Sequence, residues 1–280
     1  MKSTSLAILF ACLCQVSMVV GRSEPAPPHK PTPHEPIFEP LVQHAHFGRL
    51  DRVKRHLADA KDEDEKQRML DVKDERHGRN ALITALERFN PDVARHLIEE
   101  GADVNSTDKY GHTALHWALW RQEVDIAELL IEKGCDVNHP GHTDKPALLW
   151  VAAHVELKDH DYLLHQLVDA GANVDARDNN GDTALIISSM NGHENCVKAL
   201  LEKKANPNLM NYRRQSALFV AAMNGHTGIA KDLLNAGADM DVKSSDNLSA
   251  YEIAKRNGRR HIYDMMDKIR SEKELKKEEL

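Results

Sequence analysis

The chain has 280 residues, of which 41% are apolar but only 5% aromatic, and a formal net charge of −7. That length holds one or two ordinary domains or one elongated repeat array, and the shortage of aromatic bulk favours an array of small-residue helices over a compact enzyme. The negative balance excludes a broad positive field of the kind that attracts nucleic acid or acidic membrane.

Residues 1–21 read MKSTSLAILFACLCQVSMVVG. Lys2 precedes an apolar run from Leu6 to Val20 that is short for a bilayer span, and small or branched residues surround a cleavage point after Gly21. This layout predicts a cleaved secretory signal; the competing readings are a signal anchor and a buried first helix of a cytosolic protein. Residues 22–40, RSEPAPPHKPTPHEPIFEP, carry seven of the 11 prolines and predict a stiff extended linker. No later segment is long and apolar enough to span a bilayer, so no membrane insertion is expected after signal cleavage.

Beyond residue 40 the chain becomes periodic. Helix-opening phrases such as NALITAL (80–86), TALHWAL (113–119), PALLWVA (146–152) and TALIISS (183–189) place a shared Ala at 81, 114, 147, 184, 217 and 250. The steps are 33, 33, 37, 33 and 33 residues. A second phrase keeps the same rhythm: GADVN (101–105), GCDVN (134–138), GANVD (171–175), KANPN (204–208) and GADMD (237–241). Asn80, Thr113, Thr183, Ser216 and Ser249 stand where a short first helix needs an N-cap. A second amphipathic helix follows in each unit, and Gly101, Gly134, Gly171 and Gly237 are placed to stop it in a left-handed turn. One such unit cannot bury its apolar face, whereas a stack can.

These phrases, with DKYGHTALH (108–116) and NGH followed by ALLEKKANPN (191–208), resemble the ankyrin-repeat family over about residues 41–267. The resemblance implies an all-α solenoid of stacked helix-turn-helix units with hairpin-like turns, about five full repeats plus degenerate capping units. The expected domains are a degenerate N-terminal capping repeat at 41–73, full repeats at 74–243, a C-terminal capping repeat at 244–267 and a charged tail at 268–280. The departures from the family pattern are informative. Lys204 replaces the terminating Gly of the fourth repeat, and the third carries four extra residues near 155–161. The acidic run Asp62–Glu65 lacks the spaced ligands and glycine of a calcium loop and reads as a solvated loop.

No Gly-x-Ser-x-Gly, phosphate-binding loop, dinucleotide fingerprint or His-Glu-x-x-His is present, so no enzyme, cofactor or metal site is expected. His116 reads as a structural hydrogen-bonding residue, and Cys135 and Cys196 as unpaired thiols. The resemblance implies a concave protein-binding face on Tyr110, His112, Trp120 and Arg121, flanked by Arg79 and Arg88 on one side and Lys145 and His154 on the other. Exposed Trp, Tyr and Arg are the usual anchors of protein interfaces. Trp117 and Trp150 are assigned to packing between units, and Asn105 and Asn247 head glycosylation sequons. The chain closes on Lys277-Glu278-Glu279-Leu280, which resembles the Lys-Asp-Glu-Leu retention address. The expectation is a protein-binding scaffold of the endoplasmic reticulum lumen, with an unidentified protein partner and a KDEL-type retrieval receptor. The alternative is a secreted effector acting on a protein outside the producing cell.

Overall fold

The structure, a computed structural model, describes residues 40–141, 145–154 and 160–278. The signal and nearly all of the proline-rich linker, residues 1–39, lie outside the described residues, as do Glu279 and Leu280. Fifteen helices follow one another with no strand among the described residues, only isolated bridges such as Thr107 with Thr113 at the necks of the turns. The first helices of successive units are α1 (Pro40–His46), α4 (Ala81–Glu87), α6 (Ala114–Trp120), α8 (Ala147–Ala153), α10 (Ala184–Asn191), α12 (Ala217–Asn224) and α14 (Ala250–Arg256). Each packs on the next in one row. The second helices form a parallel row: α2 (Leu50–Ala58), α5 (Pro91–Glu99), α7 (Val124–Glu132), α9 (His160–Asp169), α11 (Glu194–Glu202), α13 (Thr227–Asn235) and α15 (Arg260–Glu278). The extra helix α3 (Glu63–Asp71) leans on α4.

Each unit starts as its cap residue dictates. Asn80, Thr113, Thr183, Ser216 and Ser249 sit in extended backbone and accept the N–H three residues on, opening α4, α6, α10, α12 and α14. Such a cap is worth about 1 kcal/mol. The third unit departs, because Pro146 holds the cap position of α8 and has no side-chain acceptor. Small residues then let the first helices approach closely: every residue from Ala81 to Leu86 is buried.

Polar rungs fix the register between units. Asn105 Oδ1 accepts the Asp136 N–H, Asn138 Oδ1 that of Asn173, Asp175 Oδ1 that of Asn206, and Asn208 Oδ1 that of Asp239. At the hairpin turns, backbone N–H groups of Lys109, Tyr212 and Ser245 donate to the carbonyls of His77, Asn180 and Arg213 in the preceding unit. Inside each turn a buried side chain completes the backbone, since Asp108, Asp178 and Asn211 each accept the N–H groups two and four residues on.

Three expectations are corrected. The acidic run at Asp62–Glu65 opens a helix rather than a solvated loop. Asp62 accepts the Glu65 N–H at 2.7 Å, Glu65 accepts the Lys61 N–H at 2.8 Å, and Glu63, Asp64 and Glu65 meet the positive end of the helix dipole. The C-terminal segment is not a separate tail after 267: α15 runs on to Glu278, because no Gly or Pro interrupts residues 259–280 and pairs such as Arg260–Asp264 support it. Pro40, assigned to the linker, is the first residue of α1, a position that needs no N–H donor. The extra residues of the third repeat fall between α8 and α9, although residues 155–159 themselves lie outside the described part. Cys135 and Cys196 are both buried; burial, aided by Asp136, pushes the Cys135 thiol up to about 12.

At the ends of the second helices, Gly101, Gly134, Gly171 and Gly237 adopt φ between 77° and 92°, and Lys204 takes the same place at φ 69°. A Cβ there meets no steric obstacle at the four glycines, so the cost at Lys204 is purely the left-handed backbone. Lys204→Gly should therefore raise stability by about 1 kcal/mol, seen as a rise in Tm of about 2–4 °C. An unchanged or lower Tm would refute that account.

Candidate protein-binding surface

The candidate surface is built outward from one buried carboxylate. Asp108 is 4% exposed, and its Oδ1 accepts the Tyr110 and His112 N–H groups at 2.9 Å to close the turn. Its Oδ2 accepts the His112 Nδ1–H at 3.2 Å and the Trp117 Nε1–H at 3.4 Å, and the Arg79 Nε lies 3.8 Å away. These donors satisfy a charge that would otherwise be costly to bury, and they orient the rings above it.

Arg79 was expected on the binding face but lies beneath it, 8% exposed. Its guanidinium pairs with Glu87 at 2.7 Å and lies 5.1 Å over the Trp117 ring. Two carboxylates, Glu87 and Asp108, draw it inward, so it braces the surface rather than meeting a partner. Arg88 stays exposed, with its Nε 3.6 Å from Glu87. Trp117 and Trp150 pack against the core, as expected of residues between units, but both stay half-buried.

Arg121 has two roles. It donates to the Glu87 carbonyl, the same inter-repeat rung that Asn191, Asn224 and Asn257 make to Ala153, Met190 and Met223. Its guanidinium also lies 4.1 Å over the ring of Phe89. Phe89 is 58% exposed and holds φ 59°, at a helix end where later units place Gly192 and Gly225. A bulky residue in that region is strained, and strain of this kind gathers at working surfaces. Sequence reasoning missed Phe89. The signal was an aromatic in the slot where the next unit carries Gln122, also at φ 59°, and three later ones carry Gly192, Gly225 and Gly258.

Trp120 is 39% exposed, and its ring meets His112 at 4.6 Å and Trp117 at 5.0 Å, both edge to face. Across from it, Trp150 stacks on His154 at 4.1 Å, and the His154 Nδ1–H donates to the Trp150 carbonyl at 2.8 Å. Between them lies a cavity of about 180 Å³, with His116 and Gly141 among its lining and Lys145 at its side. His116 is held by the cap of its own helix, because its Nδ1 lies 2.8 Å from Thr113 Oγ1 and accepts the Thr113 N–H. Its Nε2 makes no hydrogen bond of ordinary geometry, although the Lys145 backbone favours the protonated form. Burial dominates and, with His139 and His112 nearby, brings the imidazole down to about 4. Tyr110 projects beside this cluster with the Lys109 ammonium 5.1 Å over its ring.

The structure thus gathers Arg88, Tyr110, His112, Trp120, Arg121, Lys145 and His154 on repeats one to three. The sequon residues lie elsewhere: Asn105 is an exposed rung between repeats, and Asn247 sits at the exposed tip of the last turn at φ 59°. Lys277 and Glu278 end the backbone of α15. Among the described residues no group of three His, Cys, Asp or Glu is placed to hold a metal ion, and no helix is long and apolar enough to cross a membrane.

The family description "Ankyrin repeats (3 copies)" matches residues 41–140 and 149–244. A crystal structure of the ankyrin repeat domain of Bcl-3, described as a unique member of the IkappaB protein family, is similar at a TM-score of 0.70 and 25% identity. The match covers 83% of this chain and 100% of that one. No curated protein matches the sequence.

His116 makes stability depend on pH. Its imidazole titrates near 6.5 when unfolded and at about 4 when folded, so the unfolded chain takes the proton first. The contribution is complete above 6.5 and is lost as pH falls toward about 4, by up to about 3 kcal/mol. Urea unfolding between about pH 7 and pH 4 should show this decline, and His116→Gln should flatten part of it. An equal slope in both proteins would place the pH dependence elsewhere.

Proposed function

The chain belongs to the ankyrin-repeat family, and on that premise we propose that it is a protein-binding scaffold without catalytic chemistry, acting through the aromatic and cationic strip on repeats one to three. The observation that carries this reading is the pair of exposed rings, Trp120 and Phe89, each held in one orientation by its neighbours. His112 and Trp117 brace the first, and Arg121 caps the second. Rigid aromatics lose little entropy on binding, which is why such residues dominate interface energetics.

The working place proposed is the lumen of the endoplasmic reticulum. Two features at opposite ends of the sequence support it: the signal-like residues 1–21 and the address-like Lys277–Leu280, which a retrieval receptor reads when Leu280 is the last residue. The sequons at Asn105 and Asn247 then become sites that can carry sugar.

Binding is tested on whatever partner co-purifies with the wild-type chain. Trp120→Ala should weaken its capture while leaving helical content and Tm nearly unchanged. Phe89→Gly should also weaken capture, yet raise Tm slightly by relieving the left-handed strain. Full capture by both variants would move the interface off this strip. Residence is tested separately: deletion of Lys277–Leu280 should release the protein to the medium, whereas the intact chain keeps endoglycosidase-H-sensitive sugars in the cell. Equal secretion of both would favour the secreted effector, and neither sugar nor protection inside isolated membranes would return the chain to the cytosol.

A further inference from the structure

We propose that the cavity between Trp120 and Trp150 receives one acidic side chain, a Glu or Asp, presented by an extended segment of the partner protein. This rests on the binding strip proposed above and adds the chemistry that the strip selects.

Size sets the first limit. A space of about 180 Å³ admits a single side chain, not the ridge of a helix. Its walls are aromatic, with Trp120 on one side and the stacked Trp150 and His154 on the other, so the methylene stem of the entering residue is sheltered from water.

Charge sets the second. No carboxylate lines the cavity among the described residues, while Lys145 and three histidines do. The chain as a whole carries −7, so a cavity whose one charged lining residue among those described is the Lys145 ammonium runs against the average, with His116 held neutral by burial. Asp108, beneath it, is already satisfied by backbone N–H groups, His112 and Trp117. The Lys145 ammonium, by contrast, has no ion pair or hydrogen bond among the described residues. Asp182, whose field it feels, is buried and held by Asn211 at 2.7 Å. His154 spends its Nδ1–H on the Trp150 carbonyl, which leaves Nε2 to face a partner. A basic side chain would set cation against cation here, and a purely apolar one would cover Lys145 without pairing it, a cost that disfavours both. A carboxylate meets Lys145 in a partly desolvated setting, where such a pair discriminates strongly between partners.

The site carries its own reporter. Trp117, Trp120 and Trp150 are the three tryptophans of the chain, and all lie here. A random peptide library displayed on phage is selected on the full chain, and the recovered peptides are synthesised and titrated by tryptophan fluorescence. The expected peptides share a Glu or Asp. Its change to Gln should weaken binding about tenfold or more, as should Lys145→Gln in the protein with Tm unchanged. Lys145→Glu should invert the preference toward a peptide with Lys at that position. Peptides that need Trp120 but ignore both the acid and Lys145 would overturn the proposal while leaving the binding strip intact. Recovery of no Trp120-dependent peptide would overturn both. A single-stranded oligonucleotide that quenches the fluorescence with the same dependence on Lys145 would overturn the choice of a protein segment.

Discussion

A two-helix unit has an apolar face that only another unit can cover, and everything else in this protein follows from that constraint. Burial between neighbours requires the same core positions to recur at the same height. The third repeat shows how strictly this holds: despite four extra residues, Leu163, Leu164 and Leu167 bury where Ile126, Ala127 and Leu130 do one unit earlier. Apolar contact alone tolerates slippage, because it has no direction. The rungs from Asn105, Asn138, Asp175 and Asn208 remove that freedom, since each hydrogen bond closes in only one register.

The binding strip grows where units depart from the common plan. Most turns use their buried acid or amide only to close the backbone. At Asp108 the second oxygen also collects His112, Trp117 and the approach of Arg79, and so aligns the rings that reach the surface. At the rung between first helices, later repeats use asparagine. Arg121 performs the same tie and adds a planar cation beneath an exposed ring. Function here is a modification of structural parts rather than an addition to them.

Much of the fold was legible because its determinants are local. A Thr or Ser before a small apolar run predicts a cap, and a glycine thirty-three residues from another predicts a left-handed stop. Lys204 could be placed by that period even though its residue type argues against the conformation. What escaped depends on who sits opposite. Arg79 looks like a surface cation until Glu87 and Asp108 are brought beside it from the next helix and the next turn. Trp150 looks like packing until the cavity beside His154 appears. Asp62–Glu65 escapes for a different reason: a dense run of charge is solvated in a loop and in a helix alike, and its position at a helix start, where Asp62 accepts the Glu65 N–H, decides between them.

The direction of the inter-repeat bonds has a consequence for how the chain is made. Backbone donors at Lys109, Asp136, Asn173, Asn206, Tyr212, Asp239 and Ser245 all reach back to acceptors in the unit before. A ribosome delivers the earlier unit first. Each newly emerging repeat therefore meets an edge that already presents these acceptors, and it returns acceptors of its own, since Asn138, Arg177 and Asn208 donate forward to the Gly171, Met210 and Gly237 carbonyls; a junction needs two neighbouring repeats to close, not the whole polypeptide.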